Sequence, residues 1–335
     1  METARSVRDT FPSPYPDDVV RAVPEGQVVY GMQLPIQAQS TLYAAPWERQ
    51  SGPAELEQIA KTADEAGFFY IGVCDHTAIP TRLADAMGTV WYDTVATLGW
   101  LAALTTRTHL LSHVLVLAER HPLRAAKELS TLDALSGGRL IVGVGAGHVP
   151  EEYELLTGQF SARGRHTDEA IAALARAFTD EFPELPGPRF PARGMGIAPR
   201  PVRQPRPPIW VGGSSPAALR RAASYGDGWL PQGTRRRDLP EQIARLRAWR
   251  DERRDGAPID IGTMAEPIHL SAGAPGWDLP GYVHRGGAEE IASSLRELVA
   301  MGVNHLQIRF AARSAAEFCE QTAAFGADVG PLLSA

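Results

Sequence analysis

The chain has 335 residues, of which 44% are hydrophobic and 21% are charged, an ordinary composition for a globular protein. Its net charge of −6 and the absence of a long basic run argue against binding to DNA or RNA. No apolar stretch reaches membrane-spanning length, and the two cysteines, Cys74 and Cys319, suggest neither a disulfide framework nor a metal site. Because the N-terminus also lacks an apolar signal core, we expect a cytoplasmic protein.

Strand and helix signals alternate along most of the chain. Residues 1–26 are expected to form an irregular arm, because four prolines interrupt it, and residues 27–335 a single domain. The predicted strands lie at 27–35, 68–76, 109–117, 139–147, 208–211, 228–231, within 259–271, and at 305–310. The predicted helices lie at 54–67, 92–106, 121–138, 165–181, 216–226, 239–254, 288–302 and 314–326.

Eight strands, each followed by a helix, predict an α/β fold closed as a (β/α)8 TIM barrel. The strands are nearly continuous apolar runs, as expected for a parallel sheet that is buried on both faces. An open doubly wound sheet is the alternative, and the count of eight disfavours it. Insertions are predicted after strands 2 and 4, at 77–91 and at the proline- and glycine-rich segment 183–208. We interpret the second insertion as a lid or rim.

The carboxyl ends of the strands, where such barrels place their active sites, carry three histidines. His76 ends the second strand, His113 lies in the third, and His148 follows the glycine-rich end of the fourth. Histidine suits proton transfer near neutral pH. The three come from different strands without an HxH pair, so we predict no metal site.

Two glycine-rich turns predict close approach of a ligand to the backbone. Gly145, Ala146 and Gly147 lack the spacing of a dinucleotide fingerprint and instead predict contact with a flat ligand. Gly212, Gly213, Ser214 and Ser215 join a strand to a helix that begins at Pro216. Free N–H groups at such a helix start predict a phosphate site.

Three longer motifs resemble the luciferase-like flavin and deazaflavin oxidoreductases. They are SGGRLIVGVGAGHVPEEYELL at 136–156, FSARGRHTDEAI at 160–171 and PRPPIWVGGSSPAALRRAASYGDGWLP at 205–231. The resemblance implies a (β/α)8 barrel with a tricyclic cofactor in its mouth, either coenzyme F-420 or FMN. The third motif looks most like the F-420-dependent branch.

The resemblance also implies roles for individual residues. Gly212, Gly213, Ser214 and Ser215 would bind the cofactor phosphate, and Gly226, Asp227 and Trp229 would line the path of its side chain. His113-Val114 matches a non-prolyl cis peptide that supports the central ring. His76 matches a histidine near the ring, and His148 replaces an acidic proton donor of the sugar-phosphate dehydrogenases, which argues against glucose-6-phosphate as substrate.

The implied activity is hydride transfer between F-420 and a small organic substrate, with His148 as the proton-transfer group and His76 orienting the substrate or ring. One alternative is an FMN-dependent monooxygenase supplied with reduced flavin by a partner reductase, and another is a non-catalytic flavin- or deazaflavin-binding protein. A homodimer is expected, as in relatives. We also expect arginines of the run 235–237 and of the loop 193–206 to bind the anionic tail that F-420 has and FMN lacks.

Overall fold

The structure, a computed structural model, describes residues 19–40, 44–156, 159–271 and 276–333. Its strands are β1 Val29–Gln33, β2 Tyr70–Val73, β3 His109–Ser112, β4 Leu115–Val116, β5 Leu140–Gly145, β6 Ile209–Gly212, β7 Gly228–Leu230, β8 Asp260–Met264, β9 Ile268–Leu270, β10 His284–Gly286 and β11 His305–Gln307. Its helices are α1 Pro53–Glu65, α2 Ala84–Met87, α3 Thr94–Leu104, α4 Pro122–Ser136, α5 Pro150–Leu156, α6 Arg163–Thr179, α7 Pro216–Tyr225, α8 Leu239–Arg254, α9 Ala288–Ala300, α10 Ala315–Ala324 and α11 Gly330–Leu333. Residues 1–18 of the predicted arm lie outside the described residues.

The parallel strands close into a barrel, which confirms the predicted (β/α)8 fold. β1 pairs with β2 on one side and with β11 on the other, and the ladder continues around the ring through β3, β5, β6, β7 and β8. β3 and β4 both pair with β5 and form one barrel strand interrupted at residues 113–114. The predicted segment 259–271 is split, because β9 leaves the barrel and pairs with β10.

Alternating residues of the strands fill the lower half of the barrel and leave its upper half open. In β6 the side chain of Trp210 packs inside with Tyr70, whereas Ile209 and Val211 pack outward against the helices. The next inward positions are glycines: Gly72 in β2 and Gly212 in β6. Because strand side chains alternate between faces, these glycines keep the interior empty just below the carboxyl ends of the strands.

Residues 19–26 close the amino end of the barrel without forming a helix or strand. The Oδ2 atom of Asp260 accepts the backbone N–H groups of Ala22 and Val23 at 3.0 and 3.2 Å. Ala22 and Val23 then pack into the inner apolar cluster. A ligand can therefore reach the interior from the carboxyl end only, where the site must lie.

The loop that joins α6 to β6 runs along the outside of the helices, where Phe190 packs against His121 at the start of α4, before it reaches the amino end. None of its described residues lines the open upper half of the barrel, so its interpretation as a lid or rim of the site is wrong. The Oδ2 atom of Asp133, near the end of α4, accepts the N–H groups of Val202 and Arg203 at 2.8 and 3.0 Å. In a (β/α)8 barrel a segment that follows a helix and precedes a strand returns to the end opposite the active site. The insertion after β2 lies at the carboxyl end and contains α2. Within the described residues no helix is long and apolar enough to cross a membrane.

Candidate active site

A cavity of about 700 Å³ opens at the carboxyl ends of the barrel strands. Most of the sequence-predicted site residues line it: His76, His113, Val114, Gly145, Ala146, Gly147, His148, Gly212, Gly213 and Ser215. The lining also includes Trp91, Arg163, Arg221 and Gln232, which the sequence did not single out. Within the described residues no cluster of three or more metal-ligating side chains occurs.

The floor of the cavity is the interruption between β3 and β4. The His113–Val114 peptide bond is cis, as the sequence motif predicted. The Val114 side chain occupies the space next to two glycines: a Cβ at Gly145 or Gly212 would lie 2.6 or 2.8 Å from its methyl groups. The Oδ2 atom of Asp75 accepts the N–H of Val116 at 2.8 Å and so holds the chain beyond the interruption.

The His113 ring is buried beneath this floor, and its hydrogen-bond partners lie at Nε2. Its Nε2 lies 2.7 Å from the Oε1 atom of Gln307 and 3.3 Å from the Nε2 atom of Gln232. Burial lowers the pKa of His113 to about 4. A neutral ring with Nε2–H donating to Gln307 is the consistent state near pH 7, so His113 serves the floor and not proton transfer.

His76 and Glu152 form a hydrogen-bonded pair in the wall of the cavity. The Nδ1 atom of His76 lies 2.7 Å from the Oε2 atom of Glu152. Glu152 comes from α5, which leaves the glycine-rich end of β5 and crosses to the loop after β2. Its Oε1 atom accepts the N–H groups of Thr77 and Ala78 at 2.7 and 3.1 Å. Although burial alone would raise it, these hydrogen bonds leave the pKa of Glu152 below its ordinary value.

His148 lies beside His76, and their ring centroids are 5.3 Å apart in an edge-to-face arrangement. Trp91, from the loop after β2, also packs edge-to-face against the His76 ring, with the ring centroids 4.5 Å apart. Partial burial and the neighbouring His76 ring lower the pKa of His148. The two sequence-predicted catalytic histidines are thus brought together, and only His76 is bonded to a carboxylate among the described residues.

The turn before α7 forms the far end of the cavity. Gly213 has φ +107°, a conformation that favours glycine, and its N–H donates to the carbonyl of Leu230 at 3.1 Å. The Ser215 hydroxyl caps α7 by accepting the N–H of Ala218 at 3.2 Å. The N–H groups of Ser214, Ser215 and Ala217 have no acceptor among the described residues, which fits a helix start that binds an anion.

Ser214 departs from its expected role because its hydroxyl ties two loops together. It donates to the carbonyl of Gln232 at 2.8 Å and accepts from the N–H of Gln232 and the hydroxyl of Thr234 at 3.0 and 2.6 Å. Only its backbone N–H can then face a ligand. The guanidinium group of Arg163 adds positive charge to this end of the cavity, whereas that of Arg221, which also lines it, is ion-paired with Asp168 at 2.5 Å.

Gly226 and Asp227 do not reach the cavity, which corrects their predicted place along the cofactor path. β7 begins only at Gly228, so both lie at the amino end of the barrel. Asp227 is fully buried and binds the Arg206 guanidinium through both carboxylate oxygens, at 2.5 and 3.1 Å. Trp229 packs on the outer face of β7, and its indole N–H donates to the Gly213 carbonyl at 2.8 Å, so it supports the turn from behind.

The arginines predicted to bind an anionic tail are mostly engaged elsewhere. Arg206 and Arg203 of the 193–206 loop lie at the amino end, where Arg203 donates to the carbonyl of Arg21 at 2.8 Å. In the run 235–237, Arg236 is bonded to Ser294 and Glu297 of α9. Arg235 and Arg237 are exposed on the loop after β7, with the Arg237 Nε atom 3.6 Å from the Oδ1 atom of Asp238. The prediction that arginines bind an anionic tail is therefore kept for these two residues only.

Glu152, Arg163 and Arg221 lie in or beside the cavity and were not singled out by sequence reasoning. Arg163 and Glu152 lie inside motifs that carried the family resemblance, but the 7-residue helix α5 was not predicted. Arg221 points into the cavity from the second turn of α7, with its Nη2 donating to the carbonyl of Gly164 at 2.9 Å. Arg221 follows Pro216 by five residues, which places it in the second turn of α7, the helix whose start had already been predicted to bind phosphate.

The luciferase-like monooxygenase family profile matches residues 29–271, more than half of the chain, and the chain belongs to this family. Uncharacterized protein Rv0940c of Mycobacterium tuberculosis is 34% identical over 219 residues, which cover 62% of this chain and 75% of that protein. Uncharacterized protein y4wF of Sinorhizobium fredii is 29% identical over 173 residues, 52% of this chain and 48% of that protein.

Solved structures share the fold at low sequence identity. Monooxygenase RslO1 from Streptomyces bottropensis has a TM-score of 0.72 at 20% identity and covers 90% of this chain and 99% of its own. The F420-dependent tetrahydromethanopterin reductase of Methanopyrus kandleri has a TM-score of 0.68 at 16% identity, covering 91% and 99%. An FMN complex of 3,6-diketocamphane monooxygenase from Pseudomonas putida has a TM-score of 0.71 at 13% identity, covering 91% and 98%.

Proposed function

We propose that this protein is an oxidoreductase that transfers a hydride between coenzyme F-420 and a small organic substrate. The observation that carries the proposal is one cavity with two chemically different ends. The start of α7, with Arg163, suits a phosphate, and the other end holds the His76–Glu152 pair beside His148. This arrangement suits a phosphate-bearing ring cofactor at one end and a substrate that exchanges a proton with the histidines at the other.

The residues present fit such a cofactor at each of its parts. Three N–H groups without an acceptor among the described residues and the Arg163 guanidinium would hold the phosphate. The backbone of Gly145, Ala146 and Gly147, with Val114, presents a surface nearly free of side chains for a flat ring. The Tyr153 hydroxyl fixes this surface by donating to the Ala146 carbonyl at 2.7 Å.

When bound, F-420 supplies hydride transfer, and the chain must orient the substrate and manage one proton. His76 and His148 lie where a proton can be exchanged with a substrate in the cavity. Trp91 and Met87, from the insertion after β2, cover this end and restrict access of water.

Exposed cations at the rim favour F-420 over FMN. Arg235 and Arg237 lie on the loop after β7, whose neighbour Thr234 is bonded to Ser214 of the phosphate turn. A chain of carboxylates that continues beyond the phosphate would pass them, whereas FMN ends at the phosphate. The FMN-dependent monooxygenase stays the second candidate, because an FMN complex is among the proteins that share this fold.

The proposal is tested by titrating the purified protein with F-420 and, separately, with FMN. We expect F-420 to bind at least tenfold more tightly, about 1.4 kcal/mol. Arg163→Gln should weaken both cofactors, with exposed Arg165→Gln as its matched control. The double change Arg235→Ser, Arg237→Ser should weaken F-420 alone, and less so at high salt, because exposed charges are screened. Tighter binding of FMN would overturn the F-420 assignment.

A further inference from the structure

Glu152 uses its two carboxylate oxygens for two separate tasks. The Oε2 atom faces the Nδ1 atom of His76 at 2.7 Å. The Oε1 atom accepts the N–H groups of Thr77 and Ala78 and so fixes the loop after β2. Glu152 is only 4% exposed, so no water-filled space surrounds these contacts. Each oxygen therefore has its own set of partners.

This arrangement determines which nitrogen of His76 carries the proton. An ionised carboxylate can only accept hydrogen bonds, so Nδ1 must be the donor. In the neutral ring the lone pair then lies on Nε2. This atom has no hydrogen bond to any described residue, and the ring lines the cavity.

We propose that Glu152 is a positioning residue that holds His76 in the Nδ1–H tautomer and thereby makes His76 Nε2 the atom that exchanges a proton with the substrate. The proposal rests on the proposed function and deepens it. In the oxidative direction, a substrate hydroxyl proton would pass to Nε2 while the carbon gives up its hydride to the oxidised deazaflavin, which the proposed function supplies as the two-electron acceptor. The resulting imidazolium is then paired with the Glu152 carboxylate.

The assignment reverses the roles that the sequence predicted for the two histidines. His148 has no carboxylate hydrogen bonded to its ring among the described residues, so nothing there selects one of its tautomers. Its ring contacts that of His76 edge-to-face. His148 is then a neighbour that shapes the substrate space, and His76 is the group prepared for proton transfer.

Glu152→Gln tests the proposal because the amide cannot serve both tasks. The N–H groups of Thr77 and Ala78 require an oxygen, so the single amide oxygen should stay with them. The amide NH₂ would then face His76 and donate to Nδ1, which moves the ring proton to Nε2. This change keeps the shape of the side chain and the loop, but it removes the acceptor lone pair from the cavity.

The tautomer is measured by ¹⁵N NMR of histidine side chains in the free protein at a pH where the ring is neutral, with His76→Gln used for assignment. We expect Nδ1–H in the wild type and Nε2–H in Glu152→Gln. Turnover should fall about 10²–10⁴-fold, while affinity for F-420 changes little. Glu151→Gln is the matched control, since this adjacent glutamate is paired with Arg82 at the surface, and it should alter neither readout.

An Nε2–H tautomer in the wild type would overturn the proposal even if the variant failed to fold. Full turnover in a folded Glu152→Gln variant would also overturn it. If the tautomers are as expected but the wild type neither binds F-420 nor turns over with it, the proposed function fails and the placement of the proton by Glu152 stands.

Discussion

The three histidines of the cavity face three different environments. His113 is buried and bonded to Gln307, His76 is bonded to Glu152, and His148 is exposed beside His76. In our proposal the same residue type therefore has three roles: His113 supports the floor, His76 exchanges a proton and His148 borders the substrate space. These differences come from the partner of each ring nitrogen and from burial, neither of which can be predicted from the residue type alone.

His76→Gln should lower turnover about 10²–10⁴-fold, because it removes the proton acceptor. His148→Gln should lower it less than about tenfold and should mainly change the KM of the substrate. Both variants should keep their affinity for F-420, since the phosphate is held at the far end of the cavity. Steady-state kinetics of the two variants measures these losses. A larger loss of turnover in His148→Gln than in His76→Gln would restore His148 as the proton-transfer group.

At the scale of elements, the turn between β6 and α7 shows how backbone geometry prepares an anion site. Gly213 adopts φ +107°, and a Cβ there would lie 3.1 Å from the Cβ of Ala218. Trp229 supports the turn from the outer face and Ser214 ties it to the next loop. Three N–H groups are thereby left to face the cavity, together with the positive end of the helix dipole.

Gly213→Val should weaken F-420 and FMN at least tenfold, about 1.4 kcal/mol, because the turn must change to accept the side chain. Gly194→Val is the control: Gly194 also has a positive φ, +69°, a Cβ there meets nothing within 4 Å, and it lies in the loop between α6 and β6, away from the cavity. Both variants carry backbone strain, but only Gly213→Val changes the turn at the cavity. Only that variant should therefore lose cofactor affinity. Equal losses in two folded variants would show that the turn does not bind the phosphate.

The regular elements could be predicted from the sequence, whereas their irregular ends could not. β5 and α7 follow from an apolar run and from a proline-started amphipathic pattern, and both lie close to their predicted bounds. The strand that follows Asp227 was predicted to begin at Gly228, as observed, and Asp227 was assigned to the cofactor path only because the resemblance implied it. α5 is too short to show helical periodicity, so Glu152 was missed although its motif was recognised.

The whole molecule is polarised, with its apolar filling at one end and its site at the other. The amino end is closed by residues 19–26 and by the Arg206–Asp227 pair. Just above this end, His305 is fully buried and stacked on Trp210 with ring centroids 4.0 Å apart. Neither of its ring nitrogens reaches a hydrogen-bond partner among the described residues. Burial lowers the pKa of His305 to about 3.

This buried histidine should make the free energy of unfolding fall in mild acid. Between pH 6.5 and about 3 the unfolded chain binds a proton at this position and the folded chain does not, so lowering the pH favours unfolding. The expected loss between pH 7.5 and 5 is about 2 kcal/mol from this residue. Denaturant titrations of the wild type and His305→Phe at both pH values isolate the contribution of His305, because the contributions of all other groups are the same in the two proteins. An identical loss in the variant would show that His305 is not held neutral.

The central claim is that this barrel binds a phosphate-bearing deazaflavin across the cavity, with the phosphate at α7 and the reacting end beside His76. A crystal structure of the protein with F-420 bound tests it most directly. The account predicts a phosphate within hydrogen-bonding distance of the Ser214 and Ser215 N–H groups and of the Arg163 guanidinium, with the ring on the backbone of Gly145, Ala146 and Gly147. A phosphate bound elsewhere, or a ring remote from His76, would contradict it.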